Sequence, residues 1–131
     1  MDTILLIDYD LGFLLTLANI LMRAGYTVWP ARDVASAAAL IFEAGIAVDL
    51  IIADAGGLLA GESQLPSIGA KRTPIVATTE FDGDIDGSTA ERLGVVRVAP
   101  RPVTAEALDA GEWIEMVRSV MAASRAGRRH A

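Results

Sequence analysis

The sequence contains no cysteine and few aromatic or positively charged residues. Of its 131 residues none is cysteine, one is histidine and 5% are aromatic. Without cysteine, disulfides, thiolate metal sites and cysteine nucleophiles are all excluded. The 11 basic residues face 17 acidic ones, which gives a net charge of −6. A protein of this sign repels the phosphates that supply most nucleic-acid affinity, so we expect no nucleic-acid partner.

The N-terminal segment lacks the features of a secretory signal or a membrane span. It begins Met1-Asp2-Thr3, with an acid where a signal peptide carries positive charge. The apolar run at 4–7 is long enough for a strand but too short to cross a membrane. We therefore expect a cytoplasmic protein that does not contact a membrane.

Apolar residues are abundant, at 53% of the chain, and they alternate between two patterns. Runs typical of strands buried on both faces alternate with segments that have apolar residues at helical spacing. This alternation predicts an α/β fold, a doubly wound five-stranded parallel sheet of (βα)5 type in a three-layer sandwich. The predicted strands are 4–7, 26–29, 48–53, 74–79 and 95–98.

The helices are predicted between these strands, with boundaries set by capping residues. Asp33 is expected to cap the second helix and Gly45 to end it. The third helix, within 55–72, should be short and irregular because glycine and proline interrupt it. The fourth should span about 88–93, and Thr104 should cap the last. We predict one domain at 1–126, followed by a disordered basic tail at 127–131.

Parallel sheets place functional residues at the carboxyl ends of their strands. Asp8, Tyr9 and Asp10 follow the first predicted strand and Asp54 follows the third. Thr79 ends the fourth, and Arg101-Pro102 follows the fifth. We expect these side chains to meet at one edge of the sheet.

The segments ILLIDYD, VDLIIAD, PIVATTE and APRPV carry these residues, in this order along essentially the whole chain. Together they resemble the receiver domains of bacterial response regulators, the CheY-like family of two-component systems with a flavodoxin-like fold. The chain looks like an atypical single-domain member. The resemblance implies a phospho-acceptor rather than an enzyme, with Asp54 receiving a phosphoryl group from a histidine kinase or phosphotransfer protein.

The resemblance also implies roles for the surrounding residues. Asp8, Asp54 and the backbone carbonyl of Gly56 would hold Mg²⁺. Thr79 and Arg101 would bind the phosphoryl group, and the Arg101–Pro102 peptide bond would be cis. A downstream protein would bind the face formed by the fourth helix, fifth strand and fifth helix, and a homodimer is a further option.

Four residues depart from the family pattern. Tyr9 stands where the direct acidic metal ligand is expected, and a phenol of pKa about 10 does not readily replace a carboxylate. We therefore expect Mg²⁺ binding to be weak or absent. Arg101 replaces a lysine, Glu80 replaces a small residue at the entrance to the site, and Val98 replaces the aromatic residue that moves with Thr79 in the switch.

These departures leave a second function open, a degenerate pseudo-receiver that acts as a phosphorylation-independent protein-interaction module. Under this alternative, Asp8 and Asp54 cap nearby amides and Thr79 is a plain strand residue. Arg101 is then a structural cation that pairs with Asp8 or Asp54. A small flavin or nucleotide binder of similar topology is a third alternative, and the absence of a glycine-rich phosphate loop after the first strand argues against it.

One further acidic segment resembles a calcium loop only faintly. Asp82, Asp84 and Asp86 alternate with other residues, but no terminal Glu follows at the distance that such a loop requires. We expect a solvated acidic loop at this point.

Overall fold

The computed structural model describes residues 2–69, 72–81, 83–102 and 104–130. Five strands form one parallel sheet in the order β2-β1-β3-β4-β5. The strands are β1 Thr3–Ile7, β2 Thr27–Ala31, β3 Leu50–Asp54, β4 Ile75–Thr79 and β5 Val95–Pro100. The α-helices are α1 Leu11–Arg23, α2 Val34–Ala44, α3 Ala55–Ala60, α4 Gly87–Leu93 and α5 Ala110–His130, and 3₁₀ helices span Glu62–Ile68 and Ala105–Ala107.

Apolar side chains form two separate cores, one on each face of the sheet, and this confirms the doubly wound, three-layer prediction. On one face, Ile4 and Leu6 of β1 pack with residues of α1 and α5. On the other face, Leu5 and Ile7 pack with residues of α2, α3 and the longer 3₁₀ helix. The central strands have no solvent-exposed face, which explains their unbroken apolar sequence.

Aspartate side chains begin most of the helices. Asp10, Asp33 and Asp86 each accept a hydrogen bond from the backbone N–H three residues later, and so cap α1, α2 and α4. Such caps satisfy amides that have no partner within the helix. At the other end of α2, Gly45 adopts the left-handed conformation with φ of 63°, as the sequence predicted.

The C-terminal region differs from the prediction in two respects. Thr104 precedes only a 3₁₀ turn, and α5 begins at Ala110, where Asp109 accepts a hydrogen bond from the N–H of Glu112. The helix then continues to His130, through the residues 127–130 predicted as a disordered tail. Arg125 within this helix forms an ion pair with Asp2. Ala131, the end of the predicted tail, and Met1 lie outside the described residues.

The strand register aligns the carboxyl ends of the four strands that carry the candidate site. Ile7 of β1 lies beside Ala53 of β3, and Asp54 lies beside Thr78 of β4. Thr79 in turn lies beside Pro100 of β5. Asp8, Asp54, Thr79 and Arg101 are therefore brought to one edge, as the sequence predicted. No helix in the described part of the chain is both long and apolar enough to span a membrane.

Candidate functional site

Asp8 follows β1 at this edge and is almost fully buried, with 1% of its side chain exposed. Its Oδ1 accepts hydrogen bonds from the Asp10 N–H and from Nη1 of Arg101, each at 2.8 Å. Its Oδ2 is buried without a hydrogen-bond partner among the described residues, and so is Oγ1 of Thr78. A buried carboxylate is costly unless it is paired, so the Arg101 guanidinium is the contact that permits Asp8 to remain charged here.

The pKa of Asp8 is nevertheless raised above its ordinary value. Burial is the main cause, because removal from water disfavours the charged form. The hydrogen bond from the Asp10 amide and the charge of Arg101 act in the opposite direction, while the nearby carboxylates of Asp54 and Asp10 add to the rise. The Asp10 amide and Arg101 thus offset only part of the cost of burying the charged form of Asp8.

Arg101 is drawn inward and contacts several acidic residues at once. Only 8% of its side chain is exposed. Besides Asp8, its Nη1 lies 3.9 Å from Oδ2 of Asp10, and its Nη2 forms an ion pair with Oε1 of Glu80. The prediction that Arg101 would serve as a structural cation for Asp8 or Asp54 is confirmed for Asp8. No ion pair joins Arg101 to Asp54 in the part of the chain that the structure describes.

Tyr9 and Glu80 meet above Arg101. The hydroxyl of Tyr9 donates a 2.6 Å hydrogen bond to Oε1 of Glu80 and accepts a longer one, of 3.4 Å, from Nη2 of Arg101. Oε1 of Glu80 therefore accepts from both a phenol and a guanidinium. Tyr9 and Glu80, which both depart from the family pattern, are thus hydrogen-bonded to each other. Both also contact Arg101, the residue that replaces the family's lysine.

Asp54 lies at the end of β3 and is partly exposed. Its Oδ2 accepts a 2.8 Å hydrogen bond from the N–H of Gly57, so the carboxylate caps α3, which starts at the next residue. A Cβ on Gly57 would lie 2.8 Å from Oδ1 of Asp54, so the glycine gives this carboxylate its space. Asp54 therefore plays the capping role that the sequence left open.

A pocket of about 290 Å³ opens in front of Asp54. Its lining includes Gly56, Thr79, Glu80 and Arg101, so these residues converge as predicted. Val98 does not take part. It lies on β5 beside Ala77, with 45% of its surface exposed, and lines a different groove, between β5 and α5.

The residues present do not fit a Mg²⁺ site of three carboxylates. No group of three His, Asp or Glu side chains in the described ranges is arranged to hold a metal ion. Tyr9 is committed to Glu80, and Oδ1 of Asp8 to Arg101. Gly56 lies in the first turn of α3 and lines the pocket in front of Asp54.

The peptide bond between Arg101 and Pro102 is not cis. None of the described peptide bonds is, and the prediction for this bond was wrong. The trans form is intrinsically favoured even before proline. The N–H of Arg101 donates a 2.7 Å hydrogen bond to the carbonyl of Thr79, which extends the β4–β5 pairing up to the proline.

The aspartates of the acidic loop before α4 accept hydrogen bonds from backbone N–H groups. Oδ2 of Asp84 accepts hydrogen bonds from the N–H groups of Glu80 and Phe81, at 2.9 and 3.0 Å. Asp86 caps α4. Asp82 lies outside the described residues. Asp84 thus stabilises the turn at Glu80, and Asp86 stabilises the start of α4.

Solved structures of response-regulator proteins superpose on nearly the whole chain. The N-terminal domain of a response regulator/sensory box/GGDEF 3-domain protein from Carboxydothermus hydrogenoformans matches at a TM-score of 0.75 and 20% identity, covering 96% of this chain and 98% of that one. The chemotaxis response regulator CheY4 of Vibrio cholerae matches at a TM-score of 0.67 and 21% identity, covering 89% and 98%. The chain has the fold of response-regulator receiver domains.

The same receiver fold forms one part of longer proteins. NtrX from Brucella abortus matches at a TM-score of 0.76 and 23% identity, over 98% of this chain but 28% of that one. No family model matches the sequence, and no curated protein does. The similarity to receiver domains is therefore one of tertiary structure. At these sequence identities it establishes the fold alone.

Sequence reasoning missed part of the site of this receiver fold. Phe13, on α1, places its ring 5.6 Å from Cζ of Arg101, and Asp10 adds a second carboxylate next to the guanidinium. The signal was present in the departures themselves. A phenol, a carboxylate and a guanidinium at the carboxyl ends of β1, β4 and β5 are complementary groups, and their joint presence at one edge of the sheet indicates contact.

Proposed function

We propose that this chain is a receiver-type signalling module that binds its protein partner without requiring phosphorylation of Asp54. The observation that carries the proposal is the set of contacts made by Arg101. The cation that would hold a phosphoryl group is bound instead to Asp8, Glu80 and Tyr9, with 8% of its side chain exposed. To reach a phosphoryl group on Asp54, Arg101 would have to leave a buried ion pair, which is costly.

Two further features support the proposal. Asp54 already accepts a hydrogen bond from the Gly57 amide as a helix cap. Glu80 adds a negative charge to the lining of the pocket in front of Asp54, and a negative phosphodonor would be repelled by it. The module would be a binding protein rather than an enzyme.

The partner surface we propose is the face formed by α4, β5 and α5. Val96 and Val98 expose 61% and 45% of their surface on β5. A groove of about 620 Å³ lies beside them, lined in part by Trp113 and Met116 of α5. Exposed apolar residues next to a groove with an aromatic side chain are typical of protein-interaction sites. The partner would be a histidine kinase, a phosphotransfer protein or a downstream effector of a two-component system.

A second candidate is phospho-acceptance at Asp54, supported by one observation. Asp54, Thr79 and Arg101 line the same open pocket, and Asp54 is accessible at its edge. A carboxylate nucleophile, a hydroxyl and a cation are the groups that attack and then hold a phosphoryl group. The reaction would form an acyl phosphate on Asp54 while the donor's bond to phosphorus breaks, the P–N bond of a phosphohistidine or the P–O bond of acetyl phosphate, and releases the imidazole or acetate.

One experiment separates the two candidates. The protein is incubated with acetyl phosphate or phosphoramidate, with and without Mg²⁺, and its intact mass is measured alongside that of Asp54→Asn. We expect no phosphoryl adduct on either protein. An adduct on the wild type that Asp54→Asn abolishes would overturn the first candidate and establish the second.

A further inference from the structure

The positive charge at the carboxyl edge of this sheet is supplied by the protein itself. Nη1 of Arg101 lies 2.8 Å from Oδ1 of Asp8 and 3.9 Å from Oδ2 of Asp10. Nη2 of the same residue is paired with Glu80. One guanidinium thus contacts three carboxylates, which come from the ends of β1 and β4 and the start of α1.

Aromatic rings also surround this cation. Cζ of Arg101 lies 5.3 Å from the centre of the Tyr9 ring and 5.6 Å from that of Phe13. A guanidinium is weakly hydrated and is stabilised against aromatic faces, whereas Mg²⁺ is small and loses its water reluctantly. The pocket around Arg101 therefore favours an organic cation over a hydrated divalent ion.

The buried acid depends on this cation. Asp8 is 1% exposed, and its Oδ1 already accepts two hydrogen bonds. A divalent ion that approached Asp8 would have to displace the guanidinium or lie beside it, and the second arrangement places two positive charges in contact. Because Arg101 is tethered to β5, it competes with any free ion at a high effective concentration.

We infer that Arg101 is the resident cation of this site, and that its ion pairs with Asp8 and Glu80 exclude divalent cations from the carboxylate edge. The folded protein is then insensitive to Mg²⁺. This inference deepens the proposed function, on which it rests for the interpretation of the edge as a receiver-type site. It assigns Arg101 the charge-balancing role that a bound metal ion would otherwise have.

Thermal unfolding of the full chain in millimolar MgCl₂, against NaCl of equal ionic strength, tests the inference. The variants are Arg101→Met, which keeps an apolar stem but removes the charge, and Arg97→Met as a matched control. Arg97 is an exposed arginine on the same strand. We expect no Mg²⁺-specific shift of the unfolding midpoint for the wild type and Arg97→Met. For Arg101→Met we expect a rise of several degrees, because the carboxylates are then free to bind the ion.

Two outcomes would overturn the inference: a Mg²⁺-specific rise in the wild type as large as in Arg101→Met, or no rise in either protein. If Arg101→Met does not fold, Arg101→Lys replaces it. An ammonium lacks the planar fork that contacts Asp8 and Glu80 together, so Mg²⁺ should stabilise Arg101→Lys more than the wild type. An equal response of the two proteins would contradict the inference.

The test is independent of phosphorylation. A phosphoryl adduct on Asp54 formed without Mg²⁺ would overturn the proposed function while the inference about Arg101 stands. Stabilisation of the wild type by Mg²⁺ without any phosphoryl adduct would overturn the inference about Arg101 while the proposed function stands.

Discussion

Nη1 of Arg101 lies 2.8 Å from Oδ1 of Asp8, and the two side chains are 8% and 1% exposed. The residues are 93 positions apart in sequence, so this ion pair ties the end of β5 to the end of β1 across the sheet. Removal of one partner would leave the other as an uncompensated buried charge, which is the costly case for an ion pair.

We therefore predict that Arg101→Met lowers the free energy of unfolding by about 3 to 5 kcal/mol, as measured by urea denaturation. Arg125→Met is the matched control. Arg125 is paired with Asp2 at the surface, with 52% of its side chain exposed, so its loss should lower stability much less than the loss of Arg101 does. Equal losses in the two variants would show that burial does not strengthen the Arg101 pair.

Asp8 should make stability depend on pH in a direction set by its raised pKa. A carboxyl whose pKa is higher in the folded state binds its proton more readily there, so protonation favours folding. As the pH falls from neutral through the raised pKa, the wild type should gain stability relative to Asp8→Asn. The gain should level off below the ordinary pKa of the unfolded chain. Urea denaturation of both proteins over a pH series measures the difference, and a wild type that loses stability relative to Asp8→Asn on acidification would contradict the prediction.

Two adjacent glycines in α3 provide a test of the Asp54 cap. A Cβ on Gly57 would lie 2.8 Å from Oδ1 of Asp54, whereas a Cβ on Gly56 would lie 3.5 Å from Oδ2, an ordinary contact. Gly56→Ala should stabilise the protein by about 0.5 to 1 kcal/mol through helix propensity. Gly57→Ala should lose that gain and about 0.5 to 2 kcal/mol more, because the carboxylate must leave its capping position. Thermal unfolding compares the two, and similar stabilisation by both would mean that the cap contributes little.

A carboxylate at position 9 should improve Mg²⁺ binding only where Arg101 no longer occupies the site. Tyr9→Asp adds an acid beside Asp8 and Asp54 and removes the hydroxyl that donates to Glu80. Hard oxygen ligands are those that Mg²⁺ prefers, so calorimetric titration should detect tighter binding to Tyr9→Asp/Arg101→Met than to Tyr9→Phe/Arg101→Met. With Arg101 in place, neither Tyr9→Asp nor Tyr9→Phe should bind Mg²⁺ more tightly than the wild type. Tighter binding to Tyr9→Asp with Arg101 in place would contradict the exclusion of divalent cations by Arg101.

The exposed edge of the proposed partner face allows a further comparison. Val98→Glu places a charge on an exposed apolar position of β5 and should abolish capture of the signalling partner, because it opposes burial of that face. Asp54→Asn should bind the partner as the wild type does. Co-purification from cells measures both, and loss of binding in Asp54→Asn with retention in Val98→Glu would contradict the proposed binding mode.

The order of the elements could be predicted from the sequence because it depends on local patterns. An apolar run of four to six residues between helical segments indicates a strand covered on both faces, wherever that strand lies in the sheet. The residues at the carboxyl ends follow from the same argument, since parallel strands align their ends. Caps such as Asp33 and Gly45 are local as well, and both were predicted at the observed positions.

Tertiary structure decided what each of these residues does. The start of α5 at Ala110 rather than near Thr104 and the capping role of Asp54 both depend on how the chain leaves the sheet. The bond from Tyr9 to Glu80 joins residues 71 positions apart. The sequence alone determined that acids, a phenol and an arginine meet at one edge of the sheet. Only the register of β1, β3, β4 and β5 decided which oxygen each donor reaches. The physical reason is that hydrogen bonds and ion pairs depend on distances between atoms that no local sequence pattern specifies.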